Sequence, residues 1–307
     1  MKISVVISTY NGEEYIEEQL LSLLHQQRKA DEVLIFDDCS TDGTCQVVEK
    51  FLAQHSPEGW TLTGNESNKG WRKNFADGML AATGDLIFPC DQDDIWKDNK
   101  LFAMEKIMRD HPEISLLTSN YEAFYEDGHT EVCPEPEDRR LIRRKPVPDF
   151  FTTLCPGCTY CVRRSFLDKA MAYWQEDFPH DALLWRLAMF SDSLYSCNEA
   201  LIRWRRHGSS AYTRESLQQK TLSAKREWID YGIRFVEAMQ RYLENEGKYS
   251  ADKARILQGS LQWLRCRADF FDKKSIFSGL ALLKYRKYYS RPRQYPGDWY
   301  LVFLKRR

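Results

Sequence analysis

Three acids crowd into four positions at Asp91, Asp93 and Asp94, within the stretch Asp-Leu-Ile-Phe-Pro-Cys-Asp-Gln-Asp-Asp-Ile-Trp that spans 85–96. Carboxylates this close repel one another, so the ionised set needs a cation or hydrogen-bond donors to hold it. A hard divalent ion such as Mg²⁺ or Mn²⁺ compensates them through oxygen ligands and commonly completes its shell with substrate phosphates. The sequence predicts no Lys or Arg beside the three acids, which sharpens the need for an ion. The bland alternative is a solvated acidic turn ahead of a helix, with Asp93 or Asp94 as N-cap. A second acid pair, Asp37-Asp38, and the polar run Thr9-Tyr10-Asn11 also follow apolar runs.

These residues need elements to position them. The β-branched run 3–9 reads as a buried strand, with further strands at 32–36, 60–64 and 86–88. Helices are predicted over 13–26, from a cap at Ser40 or Thr41 to 54, over 71–82 and over 97–110. This alternation implies an α/β fold with a mainly parallel sheet and right-handed crossovers. The polar strand ends then converge on one edge, where open α/β sheets bind ligands and an acid can hold ribose. Taken alone, Asp37-Asp38 reads rather as an acid pair favoured at a helix N-terminus. Neither a Gly-x-Gly-x-x-Gly after the first strand nor a Gly-x-x-x-x-Gly-Lys-Ser/Thr is present, which argues against a dinucleotide fold and a P-loop.

Beyond 110 the pattern turns mixed. A strand is expected over 114–124, a long charged loop over 126–148, a strand at 159–162, helices over 164–173 and 180–190, and short strands at 194–197 and 200–205. From 215 only helices are predicted, over 215–245, 250–271 and 276–289. Residues 1–212 carry 23 Lys and Arg against 35 Asp and Glu, and residues 213–307 carry 21 against 10. That swing from −12 to +11 marks 1–212 as a catalytic domain and 213–307 as a basic helical region. The tail mixes Phe277, Leu280, Leu282, Leu283, Tyr285 and Tyr288 with Lys and Arg. It fits either helices lying on an anionic membrane surface or a soluble helical cap.

The 307 residues contain no run near ~18 apolar residues, and 1–7 is too short for a signal peptide. A cytoplasmic protein is expected, at most touching the inner face of the membrane. Nine cysteines, an odd number, fit a reduced compartment. Cys155, Cys158 and Cys161 form two Cys-x-x-Cys steps without a fourth ligand at metal spacing, so buried thiols are the better reading.

The opening Val5-Val6-Ile7-Ser8-Thr9-Tyr10-Asn11-Gly12 resembles that of family 2 glycosyltransferases, and so does Asp37-Asp38-Cys39-Ser40-Thr41-Asp42-Gly43-Thr44. Asn68-Lys69-Gly70 and Gly84-Asp85 fit the family spacing, and Cys90–Trp96 is similar to the rhamnosyltransferase-like branch. The resemblance covers about 3–212 and implies a GT-A fold that binds a nucleoside-diphosphate sugar through Mn²⁺ or Mg²⁺. It places Thr9 and Asp38 at the nucleotide, with Tyr10, Asn11, Asn68 and Gly70 as further donor contacts. Asp91 and Asp93 would hold ribose, metal and diphosphate, with Asp94 a second candidate ligand.

Pro179-His180-Asp181 matches the family's acceptor-side acid, which makes Asp181 the catalytic base of an inverting transfer. An N-cap at Asp181 is the structural alternative. In Arg203-Trp204-Arg205-Arg206-His207-Gly208, the resemblance makes His207 a metal ligand and Arg203 or Arg206 a phosphate clamp. The alternative is a surface basic patch. Trp96, and less so Trp71, would stack on a sugar or fill the core. The run 139–145 would grip an acceptor phosphate or an anionic lipid, or stay solvated. A Gln-x-x-Arg-Trp motif of processive members is missing, which favours transfer of a single hexose.

The expected donor is dTDP-rhamnose, with UDP-hexoses next, and the acceptor a glycan or lipid-linked saccharide in bacterial surface polysaccharide synthesis. No nucleic acid partner is implied. The rivals are a nucleotidyl- or phosphotransferase using the same acids, and a catalytically silent scaffold.

Overall fold

The computed structural model describes residues 1–208 and 221–304. Strand β1 (Ile3–Thr9) is buried along nearly all its length, which its β-branched run allows on both faces of a sheet. Beside it β2 (Glu32–Asp37), β3 (Trp60–Gly64) and β4 (Leu86–Asp91) run parallel in the order β3-β2-β1-β4. Helices α1 (Ile16–Leu24), α2 (Thr44–His55) and α3 (Trp71–Ala81) make the crossovers. The register sets Thr9 against Asp37 and Ser8 against Asp91, so the three polar strand ends share one edge, as the alternation predicts.

After β4 the pairing changes. The sheet continues through β9 (Tyr160–Arg163), β6 (Leu116–Tyr125), β10 (Leu194–Arg206) and β5 (Ile95–Trp96). Strand β9 is antiparallel to β4 and β6, whereas β10 is parallel to β6 and antiparallel to β5. The sheet is thus parallel in its first four strands and mixed beyond them. The two short strands expected after 194 are the single strand β10, with register breaks between Cys197 and Ala200 and between Ala200 and Arg203. Such breaks bend a strand and re-aim its side chains.

The expected loop 126–148 contains β7 (Thr130–Val132) and β8 (Leu141–Arg143), which pair with β6 and β10. Helix α2 is capped at Gly43, not at Ser40 or Thr41, because Ser40 turns back onto Asp37. Helix α4 (Lys100–Asp110) starts three residues later than expected, since Ile95 and Trp96 pair with β10 first. Helices α5 (Arg164–Met171) and α6 (His180–Phe190) follow β9.

The chain divides into two compact units. The first comprises Met1–Arg144, Leu154–Ala188 and Asp192–Arg206; the second comprises Lys145–Thr153, Met189–Ser191 and His207–Arg307. From residue 221 the described part of the second unit is helical: α7 (Leu222–Asn245), α8 (Ala251–Lys273), α9 (Ile276–Ala281), a 3₁₀ segment Leu282–Tyr288, α10 (Gln294–Trp299) and a π-type turn Tyr300–Leu304. The helix expected over 276–289 therefore changes to 3₁₀ winding after Ala281, and the expected helical start at 215 lies outside the described residues. Thr221 and Ser250 cap α7 and α8 by accepting from Ala224 N and Lys253 N.

The core of this unit holds a buried ion pair. Arg267 donates to both carboxylate oxygens of Asp298, at 2.7 and 2.6 Å, and the Tyr289 hydroxyl donates to the same acid at 2.9 Å. Trp228, Trp263, Phe271 and Tyr289 surround the guanidinium at about 5.4–5.5 Å. A buried pair needs such extra bonding to offset desolvation. No described helix is long and apolar enough to cross a membrane.

Candidate active site

The edge is assembled from the first strand end outward. Thr9 Oγ1 donates to Asp37 at 2.9 Å, and Ser40 closes the same acid with its amide (2.8 Å) and hydroxyl (2.6 Å). Asp37 thus organises the turn rather than facing a ligand. Asp38 does the same for the next loop. It is 2% exposed and accepts from Asn65 Nδ2 (3.0 Å), Lys69 N (2.7 Å) and Gly70 N (2.8 Å). Asn68 adds bonds to the Asp38 carbonyl and the Gly70 amide. Gly70, at φ +82°, then opens α3, a conformation that suits a residue without Cβ.

Gln92, inside the acid turn, stitches that turn to the first strand. Its Oε1 accepts from Tyr10 N at 2.8 Å and its Nε2 donates to Tyr10 O at 3.1 Å, as a paired strand residue would. A Cβ at Gly12 would lie 2.3 Å from Gln92 Oε1, so a side chain there would push the Gln92 amide off Tyr10. Asn11, at φ +48°, bridges to Ser40 and Thr41 through its amide and its side-chain oxygen. Tyr10 itself is exposed. The predicted residues Thr9, Tyr10, Asn11, Asp38, Asn68 and Gly70 are therefore brought together as one bonded rim around the strand ends.

The acids stand at its centre, and two cations attend them, contrary to the expectation that none would. Lys100 is fully buried; its Nζ donates to the Cys158 carbonyl at 2.5 Å and stands 3.7 Å from the Trp96 ring centre. Burial pushes its pKa down to about 8, against the pull of Cys158, Cys90 and Asp94. Arg205, on β10, donates from its amide to Asp94 Oδ1 at 3.0 Å and from Nε to the Asp93 carbonyl at 2.7 Å. Its guanidinium also pairs with Glu18.

Asp91 is pushed up to about 7 by burial and then by the charges of Asp93 and Asp181. Asp94 is raised well above the carboxylate range by burial and by Asp93 and Asp91. Its Oδ2 is buried and meets no nitrogen or oxygen donor among the described residues. Asp91, Asp94 and Cys158 each bring a ligand atom within 4.8 Å of the others. Crowded carboxyls with an orphaned oxygen fit a hard divalent cation, whose charge would return them to the ionised form. The oxygens of Asp91 and Asp94 suit such an ion, while a neutral thiol adds little to it; Asp93, the ligand expected from the sequence, is not one of the three grouped atoms.

Asp181 opens α6 and accepts from the Ala182 amide at 2.7 Å. A Cβ on Gly157 would sit 3.0 Å from Asp181 Cβ, which places the turn carrying Cys155 to Cys158 directly against it. Its charge reaches Asp91 across that turn. His180 is 3% exposed, packs its ring on Phe75 at 4.4 Å, and is held neutral by burial, so it serves the core beside Asp181.

One expectation changes, and the two arginines offered as a phosphate clamp are told apart. Trp96 is 1% exposed between Phe88 and Lys100, so its faces are closed to a sugar. Arg203 and Arg206 point apart: Arg203 lies over Phe124 at 4.5 Å, and Arg206 over Trp204 at 4.2 Å. Arg205, which also lies over Phe124, is the arginine bound to the acid turn. His207 is the first residue after β10 and falls in the second unit; its candidacy as a ligand rests on the resemblance. Sequence reading missed Lys100, Arg205 and Gln92. Only Arg205 had a legible signal, because side chains alternate along a strand and 203 shares a face with 205, not 206.

The profile of Glycosyl transferase family 2 matches residues 4–170, more than half of the chain. The dTDP-rhamnosyl transferase RfbG of Shigella flexneri is 30% identical over 165 residues, covering 52% of this chain and 55% of that protein. The chain thus spans about half the length of that relative. The crystal structure of Staphylococcus aureus TarS 1–349 in complex with UDP matches with a TM-score of 0.60 at 20% identity, covering 93% of this chain and 91% of that one. The mannosyltransferase PcManGT from Pyrobaculum calidifontis, in complex with GDP-Man and Mn²⁺, matches with a TM-score of 0.55 at 15% identity, covering 99% and 88%. The fold is the GT-A arrangement that the motifs imply.

Proposed function

Since the chain belongs to glycosyl transferase family 2, we propose that it moves a single hexose from a nucleoside-diphosphate sugar to a hydroxyl of a growing glycan, with inversion. The observation that carries this reading is the acid cluster: Asp91, Asp94 and Cys158 bring ligand atoms within 4.8 Å of one another, and the Gly157 turn beside Cys158 lies directly against Asp181. The rim from Thr9 to Gly70 would seat the nucleotide, and Asp91 the ribose. A Mn²⁺ or Mg²⁺ ion held by Asp93 and Asp94 would take up charge on the departing diphosphate as a Lewis acid. Arg205 fixes the turn that presents those oxygens. Asp181, across the glycine turn, would take the proton of the acceptor hydroxyl as the new bond forms.

dTDP-rhamnose is the first-ranked donor, supported by the similarity to a dTDP-rhamnosyl transferase, and UDP-hexoses rank next. The proposed acceptor is a glycan or lipid-linked saccharide of bacterial surface polysaccharide synthesis, met on the cytoplasmic side. The test is a donor panel with Mn²⁺, Mg²⁺ or EDTA, read as nucleoside diphosphate released. Metal-dependent release of the diphosphate and free sugar is expected. Release of nucleoside monophosphate and sugar 1-phosphate would assign nucleotidyl or phosphotransfer chemistry, and no metal-dependent nucleotide binding at all would assign a silent scaffold.

A further inference from the structure

Fourteen large apolar side chains are exposed among the described residues, and seven of them fall between 276 and 304. Ile276 (59% exposed), Phe277 (85%) and Leu280 on α9 continue into Leu283 of the 3₁₀ segment. Their spacing of three and four puts them along one face. The opposite side of α9 is closed. Gly279 packs against Trp299 so tightly that an added Cβ would lie 2.5 Å from the indole, and Tyr295 donates to the Gly279 carbonyl at 3.1 Å. Tyr300, Phe303 and Leu304, exposed as well, follow Trp299 directly.

Charge frames this strip. Residues 273–304 hold seven Lys and Arg against one acid, Asp298, which is buried against Arg267. In a 3₁₀ segment, residues three apart eclipse one another. Lys284 therefore stacks with Lys287 and Tyr285 with Tyr288, each pair beside the apolar row. Those four side chains and Arg255, Gln258 and Gln262 of α8 line a cleft of about 370 Å³. Its three cations, two amides and two phenols offer the charge and donors that a phosphate group takes, with room to spare.

We propose that this face is a docking surface for an anionic phospholipid bilayer. Phe277, Leu280 and Leu283 would enter the acyl boundary while the cleft between α8 and the 3₁₀ segment takes a headgroup phosphate. Exposed apolar residues rimmed by lysine and tyrosine suit an interfacial segment. Protein–protein interface cores, by contrast, are depleted in lysine. The surface belongs to the helical unit alone and does not depend on the proposed transfer.

The test is co-sedimentation of the full chain with vesicles of phosphatidylcholine alone or with about a third phosphatidylglycerol. Binding is expected only to the anionic vesicles and should weaken strongly in high salt, because exposed charges are screened. Phe277→Glu/Leu280→Glu and, separately, Lys284→Glu/Lys287→Glu should each lower partition at least about tenfold. All four residues are exposed, and unchanged thermal unfolding would confirm that each variant folds. Equal binding to neutral vesicles, binding to neither, or wild-type partition in both variants overturns the proposal. So does a dimer that Phe277→Glu dissolves without any vesicle binding, which would make the occupant a second copy.

Discussion

The backbone amide of Arg205 donates to Oδ1 of Asp94 at 3.0 Å, joining residues 111 positions apart. The same residue's guanidinium holds the Asp93 carbonyl, so one position of β10 grips two successive acids. Arg205→Ala keeps the amide and removes the charged donor. A hydrogen bond to a charged group contributes about 1.5–3 kcal/mol. A drop in melting temperature of roughly 2–4 °C per kcal/mol should follow, with donor affinity weakened at least about fivefold. Unchanged affinity would show that the acid turn holds its shape without that grip.

Asp181→Asn keeps the shape of the α6 opening and removes its basicity. General-base loss commonly costs ~10²–10⁴ in rate. The variant should bind donor and metal as the wild type does in calorimetry, yet form product at least about a hundredfold more slowly. Near-normal turnover would move the base elsewhere, with Asp177 the next candidate. Loss of donor binding would place Asp181 at the diphosphate.

Asp93→Ala should lose most of its activity and keep its fold, and EDTA should abolish donor binding until Mn²⁺ or Mg²⁺ is restored. Lys100 and Arg205 compensate the acids only partly, since Asp91 still sits near 7 and burial with the neighbouring acids keeps Asp94 well above the usual carboxylate range. Full turnover in excess EDTA would refute the metal's role.

Glu32 offers a pH prediction away from the site. It accepts from Ser4 Oγ and from the amide and hydroxyl of Thr83, and Lys2 lies 3.7 Å away. Burial pushes its pKa up, but these donors and the lysine outweigh it, leaving the carboxyl below its usual 4.5. A carboxyl depressed by folding contributes stability above its unfolded value and loses it as pH falls through the folded one. Glu32→Gln should therefore be less stable than wild type at pH 7, with the gap closing as the pH falls below 4.5. Denaturant midpoints from pH 3 to 7 measure it; a gap of constant size would point to lost hydrogen bonding instead.

Much of the first unit was legible because its early elements obey simple periods. The β-branched run of β1 and the spacing of α1 and α3 report burial directly, and strand ends in a parallel sheet share an edge. The site chemistry was legible as residue types, not as contacts. Asp38 stood out as a nucleotide contact, yet its oxygens are taken by Asn65, Lys69 and Gly70. Nothing local announces that Lys100 is drawn under the acids, because the cause is burial by β9 and its preceding turn, some 58 residues away. The antiparallel insertion of β9 between β4 and β6 is likewise set by pairing across the sheet, which no local pattern encodes.

The order of the sheet also sets an order in time. Strands β1 to β4 can pair once residue 91 has left the ribosome, since all four partners are then made. Asp94 must wait for Arg205, and at ~5–20 residues per second that is a delay of roughly 5–20 seconds. During it the nascent chain has a sheet and a rim but an unfastened acid turn. A stalled or prematurely ended product therefore carries the four parallel strands with the acid turn unfastened.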